Sequence, residues 1–173
     1  MKIILSGYMG SGKSAVGQQL ASKTGWKFLD LDDQIVREEG KSISALFKEH
    51  GEIYFRRKEA KTLDMLLNSP GDLVLGLGGG TPCYGKNLQK MKEYDSVKLV
   101  YLKTSLEELV QRLEGEKAKR PLISHLKSSE ALEDFVRKHL FERSFYYNQS
   151  DLVVLTDGKG VEEVSDEILK ELM

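Results

Sequence analysis

This sequence of 173 residues lacks several features, and each absence excludes a class of protein. It contains one cysteine, Cys83, so no internal disulfide can form, and we expect this side chain to be packed rather than nucleophilic. The formal net charge of −1 leaves no excess of basic residues for nucleic-acid binding. The apolar run at residues 1–5 is too short for a signal peptide or a membrane span. We therefore expect a cytoplasmic protein that binds neither nucleic acids nor membranes.

Short apolar runs alternate with helix-like segments along the whole chain, without an internal repeat or a linker. Strands are predicted at 2–6, 26–30, 72–80, 96–102 and 151–155. Helices are predicted at 12–24, from Asp32 or Asp33 to Gly40, from Ser42 or Ser44 to His50, at 51–68, from Ser105 onwards, at 129–149 and at 161–172. This alternation predicts a single α/β domain, residues 1–173, with a parallel sheet covered by helices on both faces.

The most specific local pattern is GYMGSGKS at residues 7–14, which has the spacing G-x-x-x-x-G-K-[ST]. It follows a predicted strand and opens a predicted helix, so its backbone amides can surround phosphate oxygens. Lys13 can neutralise the β and γ oxygens, and the Ser14 hydroxyl can bind Mg²⁺. The alternative is a chance glycine turn, which this context disfavours. The loop predicts a nucleoside triphosphate site but does not identify the reaction.

A GTP-dependent switch and a small-molecule kinase both use such a loop, and the rest of the chain discriminates between them. No Asn-Lys-x-Asp segment is present to read a guanine base. A kinase needs a second pocket with a base, cationic groups for the acceptor, and a lid that excludes water. The sequence offers candidates for all three.

Two carboxylates, Asp30 and Asp32, follow the second predicted strand. They alternate by two, so an extended chain would place them on one side, at the edge of the sheet where ligands bind. One could hold Mg²⁺ through water and the other could accept a hydroxyl proton. The alternative is that Asp32 or Asp33 caps the following helix and Asp30 is merely solvated.

Basic residues in this chain are mostly lysines, so the few arginines are informative. Arg56 or its neighbour Arg57 could grip an acceptor carboxylate through the planar guanidinium, as could Arg143. The alternatives are a solvated helix face for the first pair and a surface salt bridge for Arg143. Arg120 lies in a charged, aperiodic segment, which is typical of a mobile lid or of an ordinary solvated loop.

Three successive glycines, Gly78, Gly79 and Gly80, follow the third predicted strand. Glycines remove side chains where a ligand or another backbone must come close, so their amides could bind an acceptor. A tight turn without a ligand is the alternative.

Together these motifs give the chain a resemblance to the shikimate kinase family over nearly its whole length. The resemblance rests on six motifs in the family's order and near its spacings: GYMGSGKS, FLDLDD, FRRKE, LGGGT, RPL and ERSFYY. It implies a three-layer P-loop kinase fold, with a five-stranded parallel sheet in the order 2-3-1-4-5 and a mobile lid at about residues 113–127. It also implies a shikimate-binding region at about residues 31–60.

The resemblance implies transfer of the γ-phosphate of ATP to the 3-hydroxyl of shikimate, with one Mg²⁺ ion as cofactor and a monomeric enzyme. It implies that Gly10, Ser11, Gly12, Lys13, Ser14, Ala15, Arg112 and Arg120 bind ATP, with Arg112 stacked on the adenine. Ser14, and Asp30 through water, would hold the metal. Asp32, Arg56, Gly78, Gly79, Gly80 and Arg143 would bind shikimate, beside an apolar wall of Phe47 and Phe55. Lys13, Asp32 and Arg120 would be the catalytic residues.

The sequence departs from the family pattern in three places. The interval from Arg112 to Arg120 is about one residue longer, the loop at 156–161 lacks a proline, and Thr81 follows the glycines where a small apolar residue is common. Two alternatives remain open at this point. One is another small-acceptor kinase, such as a gluconate or nucleoside monophosphate kinase. The other is a nucleotide-binding module without transferase activity.

Overall fold

The fold is built on a parallel sheet of five strands, seen in a computed structural model that describes residues 1–173. The strands are β1 Lys2–Ser6, β2 Lys27–Asp30, β3 Leu73–Gly76, β4 Val97–Lys103 and β5 Leu152–Leu155. They lie in the order β2-β3-β1-β4-β5, and every adjacent pair is parallel. The predicted sheet, its strand order and its alternation with helices are therefore confirmed.

Seven α-helices surround this sheet. They are α1 Lys13–Thr24, α2 Leu31–Glu39, α3 Ile43–Asn68, α4 Asn87–Lys92, α5 Leu106–Glu114, α6 Ser129–Tyr147 and α7 Val161–Leu172. The two helices predicted on either side of residue 50 form the single element α3, which is kinked at Gly51, where φ is 82°. The sequence does not predict α4, because six residues are too few to show a helical period.

Residues of β1 alternate between two buried clusters, one on each face of the sheet. Ile4 belongs to the cluster that α2 and α3 cover, and Ile3 and Leu5 belong to the one that α1 and α7 cover. Trp26 packs at the margin of the second cluster, as expected for a core or rim residue. The protein therefore has three layers, and the carboxyl ends of β1, β2 and β3 open on one edge.

A third buried cluster lies beyond this edge and joins the phosphate loop to α5 and α6. It contains Tyr8 from the loop, Tyr101 from β4, and Ile123 from the segment predicted to be a lid. Ile123 is fully buried there, whereas the neighbouring Leu122 is 60% exposed. None of the helices combines the length and the apolar character that a membrane crossing requires.

Candidate active site

The phosphate loop lies where predicted, between β1 and α1. Gly10 and Gly12 have φ values of 82° and 93°, which favour glycine, and Gly12 is the residue from which α1 begins. The Lys13 ammonium group donates hydrogen bonds of 2.8 Å and 3.0 Å to the carbonyl oxygens of Gly7 and Tyr8. The loop therefore curves around its own lysine at the positive end of a helix, a favourable place for an anion.

The loop forms part of the wall of a cavity of about 320 Å³. Six ATP-binding residues predicted from the sequence reach this wall: Gly10, Gly12, Lys13, Ser14, Ala15 and Arg120. Ser11 is buried beside them, and its hydroxyl has no hydrogen-bond partner. Burial lowers the pKa of Lys13 to about 8, although the carboxylates of Asp30 and Asp32 act in the opposite direction.

Asp30 and Asp32 both line this cavity, but for a reason that differs from the predicted one. The chain turns into α2 directly after Asp30, so the two residues do not alternate along one strand. Asp30 caps α2, and its Oδ1 accepts hydrogen bonds from the backbone N–H groups of Asp32 and Asp33. The prediction that Asp32 or Asp33 is the cap was therefore wrong. Capping by Asp30 leaves the Asp32 side chain free.

The Asp32 carboxyl lies in an unfavourable environment for a charge. Burial above all, and then the negative charges of Asp30 and Glu59, raise its pKa to about 6, against the effects of Lys13 and Arg56. Its Oδ1 is buried without a hydrogen-bond partner. A carboxyl group with a pKa near neutrality and a free oxygen suits a general base.

A second cavity, of about 330 Å³, adjoins the first. Five residues form walls of both cavities: Met9, Asp32, Gly78, Gly79 and Arg120. The second cavity also contains Arg56, Arg143, Gly80 and the predicted apolar wall of Phe47 and Phe55, whose ring centroids are 4.6 Å apart. The structure thus brings the predicted phosphate and acceptor residues together around one boundary.

The glycine triad allows three functional side chains to pack against the backbone. A Cβ atom on Gly78 would lie 3.0 Å from Asp32 Oδ1, and one on Gly79 would lie 2.9 Å from a guanidinium nitrogen of Arg143. A Cβ on Gly80 would lie 2.8 Å from a guanidinium nitrogen of Arg56. The Gly79 and Gly80 distances are shorter than real Cβ contacts and the Gly78 distance is tighter than most, so a side chain at any of the three would push Asp32, Arg143 or Arg56 out of place.

Arg56 is held by a residue that the sequence does not reveal as functional. Glu59 is 1% exposed, accepts a hydrogen bond of 2.9 Å from Arg56, and accepts another of 2.7 Å from the Thr81 hydroxyl. The Arg56 guanidinium also lies 3.8 Å from the ring centroid of Tyr84. Arg57 is exposed, and of the two arginines only Arg56 lines the second cavity.

Arg143 differs from the other arginines of the site because it pairs with no carboxylate. Arg56 pairs with Glu59, Arg112 with Glu108, and Arg120 with Glu116. The proposed surface salt bridge of Arg143 is therefore absent. Its guanidinium instead faces the second cavity, near the ring of Tyr8.

Arg120 lies at the boundary of the two cavities, in the segment predicted to be a lid. Its Nε donates a hydrogen bond of 2.6 Å to Glu116, one helical turn earlier in the chain. Pro121 and Leu122 follow it along the rim of the second cavity. The position agrees with the predicted role, and the mobility of this segment stays a prediction.

Arg112, predicted to stack on adenine, contacts the phosphate loop in this structure. It donates a hydrogen bond of 3.1 Å to the carbonyl of Gly10, and Glu108 holds the other side of its guanidinium. The later loop lies nearby, since Asp157 accepts a hydrogen bond from the N–H of Ser105 at the start of α5. The stacking itself stays a prediction.

Only three buried side-chain nitrogen or oxygen atoms lack a hydrogen-bond partner, and all three belong to this region: Ser11 Oγ, Asp32 Oδ1 and Arg56 Nε. Unpaired buried polar atoms are costly, so their concentration at one place indicates a binding site. Cys83 packs at the edge of the third cluster, and burial raises its pKa to about 11. It is therefore a poor nucleophile, in agreement with the sequence-based expectation.

Comparison with known proteins agrees with this geometry. The family model described as shikimate kinase matches residues 9–173. The chain is 45% identical over 168 residues to a shikimate kinase from Flavobacterium johnsoniae, covering 97% of this chain and 96% of the relative.

Solved structures of shikimate kinases are also similar. One from Bacteroides thetaiotaomicron has a TM-score of 0.89 at 32% identity, covering 99% of this chain and 97% of that one. One from Acinetobacter baumannii, in complex with shikimate, has a TM-score of 0.86 at 33% identity and covers 99% and 92%. The fold is accordingly the P-loop kinase fold of these structures. The chain belongs to the shikimate kinase family.

Proposed function

We propose that this protein transfers the γ-phosphoryl group of ATP to the 3-hydroxyl of shikimate, a step of aromatic amino-acid biosynthesis. The observation that carries the proposal is the pair of adjoining cavities that share Asp32 and Arg120. One cavity contains the phosphate loop, and the other contains two arginines, Arg56 and Arg143. The related structure from Acinetobacter baumannii contains shikimate, the acceptor that we assign to the second cavity.

Shikimate is a ring that carries one carboxylate and three hydroxyl groups, and the second cavity matches this chemistry. Arg56 and Arg143 would bind the carboxylate, since each presents a guanidinium to the cavity. The backbone N–H groups of residues 78–80 donate no hydrogen bond to another backbone group, so they are free to bind the acceptor. The rings of Phe47 and Phe55 would contact its apolar face.

The nucleotide would bind the first cavity through the phosphate loop. The loop amides, Lys13 and the positive end of α1 would hold the β and γ phosphates. A bound triphosphate would place negative charge beside Lys13 and so favour its protonated form. We assign the adenine to the side of the loop where Arg112 lies.

The residues of the first cavity fit a magnesium ion that accompanies the triphosphate. The Ser14 hydroxyl is exposed to the cavity, and Asp30 uses only Oδ1 for capping, so its Oδ2 stays available. Both are oxygen ligands of the kind that Mg²⁺ prefers. No group of three or more His, Cys, Asp or Glu side chains is arranged to hold a metal by itself, so phosphate oxygens would complete the coordination. When bound, Mg²⁺ supplies positive charge to the triphosphate.

The chain's own residues then account for the transfer. Asp32 accepts the proton of the 3-hydroxyl, the oxygen of that hydroxyl bonds to the γ-phosphorus, and the bond from this phosphorus to the β–γ bridging oxygen breaks as ADP leaves. Lys13 and Arg120 neutralise the charge that develops on the phosphoryl oxygens. The segment around Arg120 would exclude water and so limit ATP hydrolysis.

The experiment that tests the proposal is the release of ADP by the purified protein with Mg-ATP, with and without shikimate. Quinate, gluconate and AMP serve as competing acceptors, because other kinases of this fold use such molecules. Stimulation by shikimate alone supports the proposal. Equal stimulation by gluconate or AMP would assign a different acceptor, and bound ATP without any turnover would indicate a binding module.

A matched pair of variants locates the acceptor site. Arg56→Ala should raise the KM for shikimate, whereas Arg57→Ala, at the adjacent exposed position, should leave it unchanged. We further propose a monomer that acts in the cytoplasm. Light scattering coupled to size-exclusion chromatography tests the oligomeric state, and a mass twice that of the chain would refute the monomer.

A further inference from the structure

A buried hydroxyl contacts the glycine triad from helix α6. Tyr147 lies four residues after Arg143 and therefore on the same face of α6. Its side chain is fully buried, and its hydroxyl donates a hydrogen bond of 2.5 Å to the carbonyl oxygen of Gly79. The mechanism described above gives this residue no role.

The Gly79 carbonyl belongs to the same peptide plane as the N–H of Gly80. A peptide plane is rigid, so fixing its oxygen also fixes the direction of its N–H, which points the opposite way. Both glycines line the acceptor cavity, and the N–H of Gly80 donates no hydrogen bond to another backbone group. Glycine rotates more freely than other residues, so a plane between two glycines needs an external contact to hold it.

The tyrosine is itself well fixed. Its ring packs against that of Tyr101 in β4, with centroids 5.0 Å apart. Arg143 approaches the same glycine, since a Cβ on Gly79 would lie 2.9 Å from its guanidinium and 3.6 Å from the Tyr147 hydroxyl. Two side chains one turn apart on α6 thus lie against Gly79, and one of them, Arg143, is proposed to bind the acceptor carboxylate.

We infer that Tyr147 is a positioning residue for the acceptor: it orients the Gly79–Gly80 peptide so that the Gly80 N–H is presented to shikimate. The role rests on the proposed function. Without the hydroxyl, the Gly79 carbonyl is unpaired and the peptide is free to rotate, so one hydrogen bond to the acceptor is weakened. The KM for shikimate should then rise roughly three- to tenfold, with the KM for ATP unchanged.

The test compares Tyr147→Phe with Tyr101→Phe. Each change removes one hydroxyl from the same packed pair, but the Tyr101 hydroxyl has no hydrogen-bond partner, and burial is the only cause that raises its pKa. Steady-state kinetics should show a raised KM for shikimate in Tyr147→Phe alone. A fall in kcat together with a rise in both KM values would indicate general loss of structure and would overturn the inference, as would unchanged kinetics.

A readout without substrate separates this inference from the proposed function. In ¹⁵N-labelled protein free of ligands, Tyr147→Phe should shift the amide resonance of Gly80, and Tyr101→Phe should not. If the wild type does not phosphorylate shikimate, the proposed function fails while this amide measurement still stands. If the wild type is active but the Gly80 amide is identical in both variants, the inference about Tyr147 fails alone.

Discussion

The ionised Asp32 carboxylate destabilises the folded protein, so Asp32→Asn should increase stability while it abolishes phosphoryl transfer. Burial, together with repulsion from Asp30 and Glu59, raises the pKa of Asp32 from 3.8 to about 6. One pKa unit is equivalent to about 1.4 kcal/mol, so ionisation of this group costs the folded state about 3 kcal/mol above pH 6. Asparagine removes that cost because it cannot ionise.

Two effects oppose the gain. Asp32 lies in the first turn of α2, where the helix dipole favours a negative charge by about 0.3–1 kcal/mol. The asparagine amide would also be buried without a full set of partners, but Asp32 Oδ1 is already unpaired in the wild type, so the added cost is only about 1 kcal/mol. The net expectation is a gain of about 1 kcal/mol, which corresponds to a rise in Tm of about 2–4 °C for a chain of this size.

The assay is thermal unfolding of both proteins at a series of pH values. Because the folded-state pKa is raised, the penalty is absent below pH 3.8, grows as the pH rises, and is complete above about 6. The advantage of Asp32→Asn should therefore be largest above pH 6 and shrink as the pH falls towards 4. Asp33→Asn, at the exposed neighbouring position, is the matched control. The reasoning would be refuted if Asp32→Asn were less stable than the wild type at about pH 8, or if the difference in stability between the two proteins did not change with pH.

Three other predictions concern activity. Arg120→Ala should lower kcat by on the order of 10³-fold or more, by analogy with arginine fingers, and near-normal turnover would remove this residue from the mechanism. Arg143→Ala should raise the KM for shikimate by roughly 10- to 100-fold through loss of a charged hydrogen bond. A loss of ATP affinity alone would contradict the proposal that Arg143 binds the shikimate carboxylate. The kcat/KM for shikimate should rise with pH up to about 6 as Asp32 ionises. It should fall above about 8 as Lys13 loses its proton. Bound ATP should raise the pKa of both groups and so move both ends of the profile to higher pH. A flat profile would exclude both assignments.

Features encoded locally could be predicted from the sequence. The strands, the phosphate loop and the Ser105 cap depend on residues close together in the chain, and the structure contains each of them. The order of the strands came from the resemblance, because periodicity alone does not say which strands are neighbours. The boundary between β2 and α2 shows the limit of local reasoning. An Asp-x-Asp spacing fits both a continued strand and a capped helix, and only the fold decides between them.

Features that depend on distant residues could not be predicted. Glu59 lies within a charged run that resembles a solvated helix face, yet it is almost fully buried and holds both Arg56 and Thr81. Thr81 is 22 positions away, so no spacing rule connects the two. This contact explains why threonine follows the glycine triad instead of a small apolar residue. The Thr81 hydroxyl donates a hydrogen bond to the second oxygen of the buried Glu59 carboxylate. The hydrogen bond from Tyr147 to Gly79 could not be predicted for the same reason, since the two residues are 68 positions apart.

Several buried polar groups of the site destabilise the folded protein when no ligand is bound. Burial shifts the pKa of Asp32 upward and that of Lys13 downward, so each group is driven towards its neutral form in the free protein. Arg143 has no carboxylate partner, and Asp32 Oδ1 has no hydrogen-bond donor. Each of these groups has a complement on one of the two proposed substrates: a phosphate for Lys13, a carboxylate for Arg143 and a hydroxyl for Asp32. Because ligands that supply these complements stabilise only the folded state, ATP and shikimate together should raise the Tm more than an unrelated nucleotide and acid do.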